Sequence, residues 1–134
     1  MVIKPQDFKK VEIMDEIEIP DSIRCKFEEK GGIDGIIELL PDDQRIEYIT
    51  LIARAISDPV RLKVLFALCL QPMCVCLLVA MTGYAYSKMS YHLSLLKDSG
   101  LICSRQEGNY SIYYPTDPGR KVVGLVEIAN FNDR

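Results

Sequence analysis

From Asp58 to Tyr114 the residues read, with almost none to spare, as helix, helix, tight turn, helix and β-hairpin. That order predicts a mostly α-helical fold with a small β-hairpin, a winged helix-turn-helix. Three observations carry the prediction: an Asp-Pro helix start, a glycine turn between two short helices, and a glycine-tipped hairpin. The chain is expected to divide into an N-terminal arm, residues 1–32, and a DNA-binding and dimerisation domain, residues 33–134.

Residues 1–32 are charge-dense, and Val11 to Ile19 alternates in part, as a short edge strand or an arm that orders on a partner would. Gly31-Gly32 breaks the chain, and a short helix is expected from Ile33 to Leu40, ended by Pro41. Pro41-Asp42-Asp43 opens a longer helix, with carboxylates at the positive end of its dipole. Ile46, Ile49, Ile52, Ala53 and Ile56 give it one apolar face. Asp58-Pro59 starts the next helix, with Leu62, Leu65, Phe66 and Cys69 as its expected buried stripe and Pro72 as its end. A third helix is expected from about Cys74 to Met81, then a turn, Thr82-Gly83-Tyr84-Ala85. The fourth covers about Tyr86 to Ser99, and Gly100-Leu101 fits a Schellman ending. Leu101–Arg105 and Tyr110–Tyr114 are strand-like runs joined by Gln106-Glu107-Gly108-Asn109. Asp117-Pro118 begins a last amphipathic helix carrying Val122, Val123, Val126 and Ala129. So small a domain leaves that helix little core to cover, so it and the helix from Pro41 are expected to pair two subunits.

With 134 residues, 49% apolar and 26% charged, the chain has the composition of one soluble globular domain. Its longest apolar run, Cys74 to Met81, is too short to span a bilayer, and Met1 to Pro5 lacks a signal-peptide pattern, so a cytoplasmic protein is expected. Residues 1–57 hold 8 basic and 13 acidic side chains, whereas residues 58–134 hold 8 and 6. The half expected to read DNA is the basic one. One histidine, no nucleophile–base pair and no glycine-rich phosphate loop argue against an enzyme.

On the fourth helix Met89, Leu93 and Leu96 are expected to point inward, leaving Ser87, Ser90, Tyr91 and Ser94 outside with Lys88. A face of small hydroxyl side chains suits a helix that must approach bases closely, although a solvated surface helix reads the same way.

These residues resemble the ArsR/SmtB family of winged-helix transcriptional repressors. The resemblance rests on Asp58-Pro59-Val60-Arg61-Leu62, Cys74-Val75-Cys76, Ser90-Tyr91-His92-Leu93, Gly100-Leu101-Ile102, and Glu107-Gly108 followed by Tyr113-Tyr114, and it covers roughly residues 45–125 in order. It implies a homodimer on a double-stranded, palindromic DNA operator, repressing genes until an inducer lowers affinity. It further implies that Ser87, Lys88, Ser90, Tyr91 and His92 lie at or beside the groove, with Arg105 and Asn109 of the wing near phosphates. For His92 the roles weighed are orienting the helix, contacting a phosphate and, least favoured, holding a metal.

Cys74 and Cys76 match the paired cysteines of the metalloid- and cadmium/lead-responsive members. Thiolates suit soft ions such as arsenite, cadmium or lead, and a first-turn position favours the thiolate. On a regular helix, side chains two residues apart diverge by about 200°, so joint ligation requires an irregular first turn. Pro72, Met73, Leu77 and Val79 depart from the family pattern here, so a third sulfur would come from Cys25 of the arm or from Cys69. Cys25 is the preferred third ligand; no cofactor is required. Thiol redox sensing, inert packing and regulation without an inducer are the alternatives at the cysteines. The contrasting function is a winged-helix module that binds protein instead of DNA.

Overall fold

The computed structural model describes residues 17–128, and these fall into two compact units divided between Ile49 and Thr50. The expected edge strand lies outside the described residues up to position 16, and residues 17–20 are neither helix nor strand.

In the first unit, α1 (Asp21–Glu29) and α2 (Gly32–Leu39) pack on one another. The helix inside the expected arm was not foreseen. It buries no residue, and Ile23 and Phe27, four apart, are its only large apolar side chains. Helix α3 (Asp43–Ile56) runs on into the second unit.

The second unit continues with α4 (Pro59–Leu70), β1 (Met73–Cys74), α5 (Val75–Thr82), α6 (Tyr86–Asp98), β2 (Ile102–Glu107), β3 (Tyr110–Pro115) and α7 (Asp117–Ile128). Asp58 caps α4 with one carboxylate oxygen, which accepts from Val60 N at 2.8 Å and Arg61 N at 3.3 Å, while Pro59 occupies the first helical turn. The buried face of α4 differs from the expected stripe: Val64, Leu65, Ala67 and Leu68 are buried, whereas Leu62 is only half-buried. Similarly, Ala55 of α3 is buried while Ala53 is exposed. Helix α4 is apolar on nearly every side, so periodicity could not choose its inward face.

Met89, Leu93 and Leu96 of α6 do face the core, joined by Leu65, Leu68, Leu78 and Leu101. Each such side chain contributes about 1.5–3 kcal/mol on burial. Helix α6 ends as expected. Leu101 N donates to Leu96 O at 3.1 Å and Gly100 N to Lys97 O at 3.0 Å, with Gly100 at φ 77°. That is the Schellman pair of bonds, and the left-handed residue it needs is glycine.

The wing is a three-stranded antiparallel sheet in the order β1-β3-β2, not a lone hairpin. Pairing runs from Ile102 opposite Pro115 to Glu107 opposite Tyr110, and β1 adds Met73 opposite Tyr113 and Cys74 opposite Ile112. On α7 Val123 is buried and Leu125 exposed, while Ala129 lies outside the described residues. Among the described residues, no helix is long and apolar enough to cross a membrane.

Candidate nucleic-acid interface

Gly83, at φ 76°, ends α5 and turns the chain through Tyr84 and Ala85 into α6. The outer face of α6 presents Ser87, Lys88, Ser90 and Tyr91 to solvent. Lys88 Nζ rests 5.2 Å above the Tyr84 ring, which steadies a long side chain beside the helix start. On the wing, Arg105 lies 5.0 Å over the Tyr114 ring, and the Tyr114 hydroxyl donates to Glu107 Oε1 at 2.8 Å. That bond, with partial desolvation, holds the Tyr114 phenol above its ordinary pKa. Asn109 is exposed at the tip, beside Gly108. There Gln106 donates to Gly108 O and accepts from the Ser111 hydroxyl, at 3.1 and 3.0 Å. Lys97 Nζ donates to Ser104 Oγ at 2.9 Å and ties α6 to β2. Of these contacts, the Lys97–Ser104 bond is the one that joins α6 to the wing.

The sequence reading set His92 at or beside the groove and weighed orienting the helix among its roles. Its ring is buried, 6% exposed, against Tyr84 and Tyr91, with Nδ1 3.0 Å from Arg61 Nη1. A guanidinium can only donate, so Nδ1 accepts and the ring proton belongs on Nε2. Arg61 is also buried, and its other bonds run to the end of α3: Nε donates to Ala55 O at 2.7 Å and Nη2 to Arg54 O at 3.1 Å. The cause is legible in the sequence after the fact. The helical partner of Ala55 O would be the amide of residue 59, which is proline and has no N–H. Arg61 replaces that missing donor and, through His92, links α3 and α4 to the recognition helix.

Partial desolvation pushes the Asp58 carboxyl up, but the amide bonds from Arg61 and Val60 and the nearby Arg61 charge outweigh it and leave its pKa below the ordinary value.

The two sulfurs of Cys74 and Cys76 are bonded to each other, with Cα atoms 5.4 Å apart. The divergence expected on a regular helix is avoided because Cys74 is not helical. It sits at φ -79°, ψ 166° as the residue capping α5, held in β1, while Cys76 lies in the first turn. This is the irregular start that joint action of two thiols requires. Cys74 is half-buried and Cys76 exposed, and they open on a cleft of about 360 Å³. Its walls are Tyr86 and Ser90 of α6 and Asn109, Tyr110 and Ser111 of the wing. Sequence reasoning missed Tyr86 and Tyr110, both well exposed there, because aromatic side chains on two separate elements share no spacing. Cys25 is exposed on α1, its thiol 4.0 Å from Glu29 Oε1, and belongs to the first unit. Cys69 packs against the core; Cys103 is half-buried on β2. Among the described residues, no three His, Cys, Asp or Glu side chains cluster as a metal site.

Residues 58–104, from the cap of α4 to the middle of β2, match the model of the bacterial regulatory protein, arsR family. The chain is 38% identical over 74 residues to the arsenical resistance operon repressor of Bacillus subtilis, covering 54% of this chain and 69% of that one. The chain belongs to the ArsR family. Its members are DNA-binding transcriptional regulators of the helix-turn-helix type. This ArsR-family chain is also 33% identical over 87 residues to a cadmium resistance transcriptional regulatory protein, a CadC homolog, of Staphylococcus aureus, covering 64% of this chain and 70% of that one. Among solved structures, NolR of Sinorhizobium fredii aligns with a TM-score of 0.60 at 26% identity, over 64% of this chain and 87% of its own. A homodimeric winged helix-turn-helix domain of Mycobacterium bovis aligns with a TM-score of 0.62 at 22% identity, over 67% and 86%, which shows the shared fold.

Proposed function

We propose that this ArsR-family regulator is a homodimeric, cytoplasmic repressor that binds a palindromic operator and leaves it when a soft metal or metalloid ion binds Cys74 and Cys76. The observation that carries the reading is the cleft between α6 and the wing. Ser90 of α6 and Asn109 of the wing line it together with the sulfur pair, and Ser87, Lys88, Tyr91 and Arg105 are exposed on the same two elements. Small hydroxyls and one lysine suit close approach to base edges, while Arg105 and Asn109 suit phosphates. Buried His92 acts through Arg61, orienting the helix. Two recognition helices related by a dyad would read half-sites about 34–36 Å apart, and α3 with α7 supplies the dimer contact. In this reading residues 1–32 serve as an arm and residues 33–134 as the operator-binding, dimerising domain, and Cys25 of the arm furnishes a third thiolate. The arsenical repressor and the cadmium regulator among its relatives support arsenite, cadmium or lead as the class of inducer.

The test is a gel-shift and fluorescence-anisotropy titration on the gene's own upstream DNA at low and at about 200 mM salt, where phosphate contacts weaken. Cadmium and arsenite are then added to the dithiol form. Tight, salt-dependent binding released by either ion is expected, with release lost in Cys74→Ser and Cys76→Ser and weakened in Cys25→Ser. Equal ultraviolet thiolate–metal absorption in all variants removes the cysteine site, and no DNA binding at low salt removes the repressor.

A second reading has the sulfur–sulfur bond behind it. A peroxide would oxidise the pair, two thiols and one hydrogen peroxide giving the disulfide and two waters, and a small thiol would reverse it by exchange. Thiol state, not a metal, would then set DNA affinity.

A further inference from the structure

The cysteine pair lies in the cleft between α6 and the wing. Cys74 and Cys76 share it with Tyr86 and Ser90 of α6 and with Asn109 and Tyr110 of the wing. Two of these, Ser90 and Asn109, are groove and phosphate contacts in the proposed function. A DNA backbone reaching from one to the other has to cross the cleft.

The start of α5 adds a second observation. Val75 and Cys76 line the same cleft, and no side chain caps that helix. The positive end of its dipole therefore lies at the wall of that cleft. The cleft, at about 360 Å³, is large enough for a coordinated ion with its remaining ligands or for a small organic substituent.

We propose that Cys74 and Cys76 lie beneath the path of the DNA backbone, so that a thiol-bound ligand and DNA compete for one cleft between α6 and the wing. The ligand class is a soft cation or small electrophile that takes the place of the thiol protons. Its action is local: it displaces a phosphate directly, with no change relayed through the dimer. The inference rests on the DNA-binding reading above but not on which inducer, if any, the protein meets.

The experiment measures alkylation of the reduced, full-length protein by iodoacetamide, alone and saturated with its upstream DNA, with each cysteine followed by peptide mass spectrometry. The reaction joins sulfur to the reagent's methylene carbon and releases iodide and a proton. With nine-tenths of the protein on DNA, Cys76 labelling is expected to slow roughly tenfold, following the free fraction. A small free thiol alkylated in the same solution serves as the reference for reagent access. In the reverse direction, protein alkylated at Cys76 should lose DNA affinity, and a bulkier maleimide should cost more than the small acetamide group. Equal Cys76 rates with and without DNA overturn the proposal, as does undiminished affinity after alkylation. Protection without any cadmium or arsenite response sinks the soft-ion inducer and leaves the shared cleft standing. Release by the ion without protection does the opposite. Failure to bind the DNA at low salt overturns both.

Discussion

Replacing Arg61 by methionine tests the linkage between α3 and the recognition helix. The change keeps the length and apolar stem of the side chain and removes every donor. Arg54 O loses one bond but still accepts from Ser57 Oγ at 2.8 Å. Ala55 O and His92 Nδ1 are left without the partners now at 2.7 and 3.0 Å. A buried acceptor without a donor costs about 1–3 kcal/mol. Relief from burying a guanidinium offsets part of the total, leaving a net loss of about 3 kcal/mol. Urea unfolding followed by circular dichroism, at matched protein concentration because the proposed dimer couples stability to mass action, should show the midpoint falling by roughly 1–2 M. His92→Asn keeps an acceptor close to the Nδ1 position and should lose much less. Arg61→Lys, with one compact ammonium for three separated acceptors, should fall between. An Arg61→Met midpoint equivalent to a loss under about 0.5 kcal/mol, the range of an ordinary surface change, would refute the reasoning: water would then be serving Ala55 O.

Three further outcomes follow from the geometry. Arg105→Ala should lower the slope of log affinity against log salt by about 0.9, the count of one phosphate, whereas His92→Asn should leave that slope alone, since its ring is buried. Gly119→Ala drives a Cβ into Leu101 O and to 3.2 Å from Leu65 Cδ1, and should cost about 1–3 kcal/mol, while Gly124→Ala, with nothing within 4 Å, should gain up to about 1 kcal/mol in thermal unfolding. The Asp58 carboxyl is held below its ordinary 3.8 in the folded protein, so the stability it lends is present above that value and lost as pH falls through the folded value. The melting difference between the protein and Asp58→Asn, which keeps a cap but no charge, should hold steady from neutral pH to about 4 and shrink below it.

What the sequence disclosed was local. The Asp58-Pro59 start, the Gly100-Leu101 ending and the inward Met89, Leu93 and Leu96 are each settled within about two helix turns, and the structure reproduces them. What it concealed depends on partners far along the chain. Strand β1 is two residues long and exists only because Tyr113 and Ile112 lie opposite. The burial of Arg61 and His92 joins side chains 31 positions apart. The same remoteness hid the cysteine geometry, since the pairing that holds Cys74 extended is what lets its sulfur meet that of Cys76. Helix α4 misled for a different reason: with leucines and valines on most sides, its composition left the choice of inward face to the neighbours.

Strand β1 also forbids the wing a swivel of its own. Two rungs of its ladder rivet the middle of β3 to the peptide that opens α5, and the following residues run through one glycine into α6. Tilting the wing while the recognition helix stays still would mean unzipping those rungs. Engineers who graft a foreign wing onto this scaffold should therefore carry Met73 and Cys74 with it, or expect the transplant to arrive misaimed.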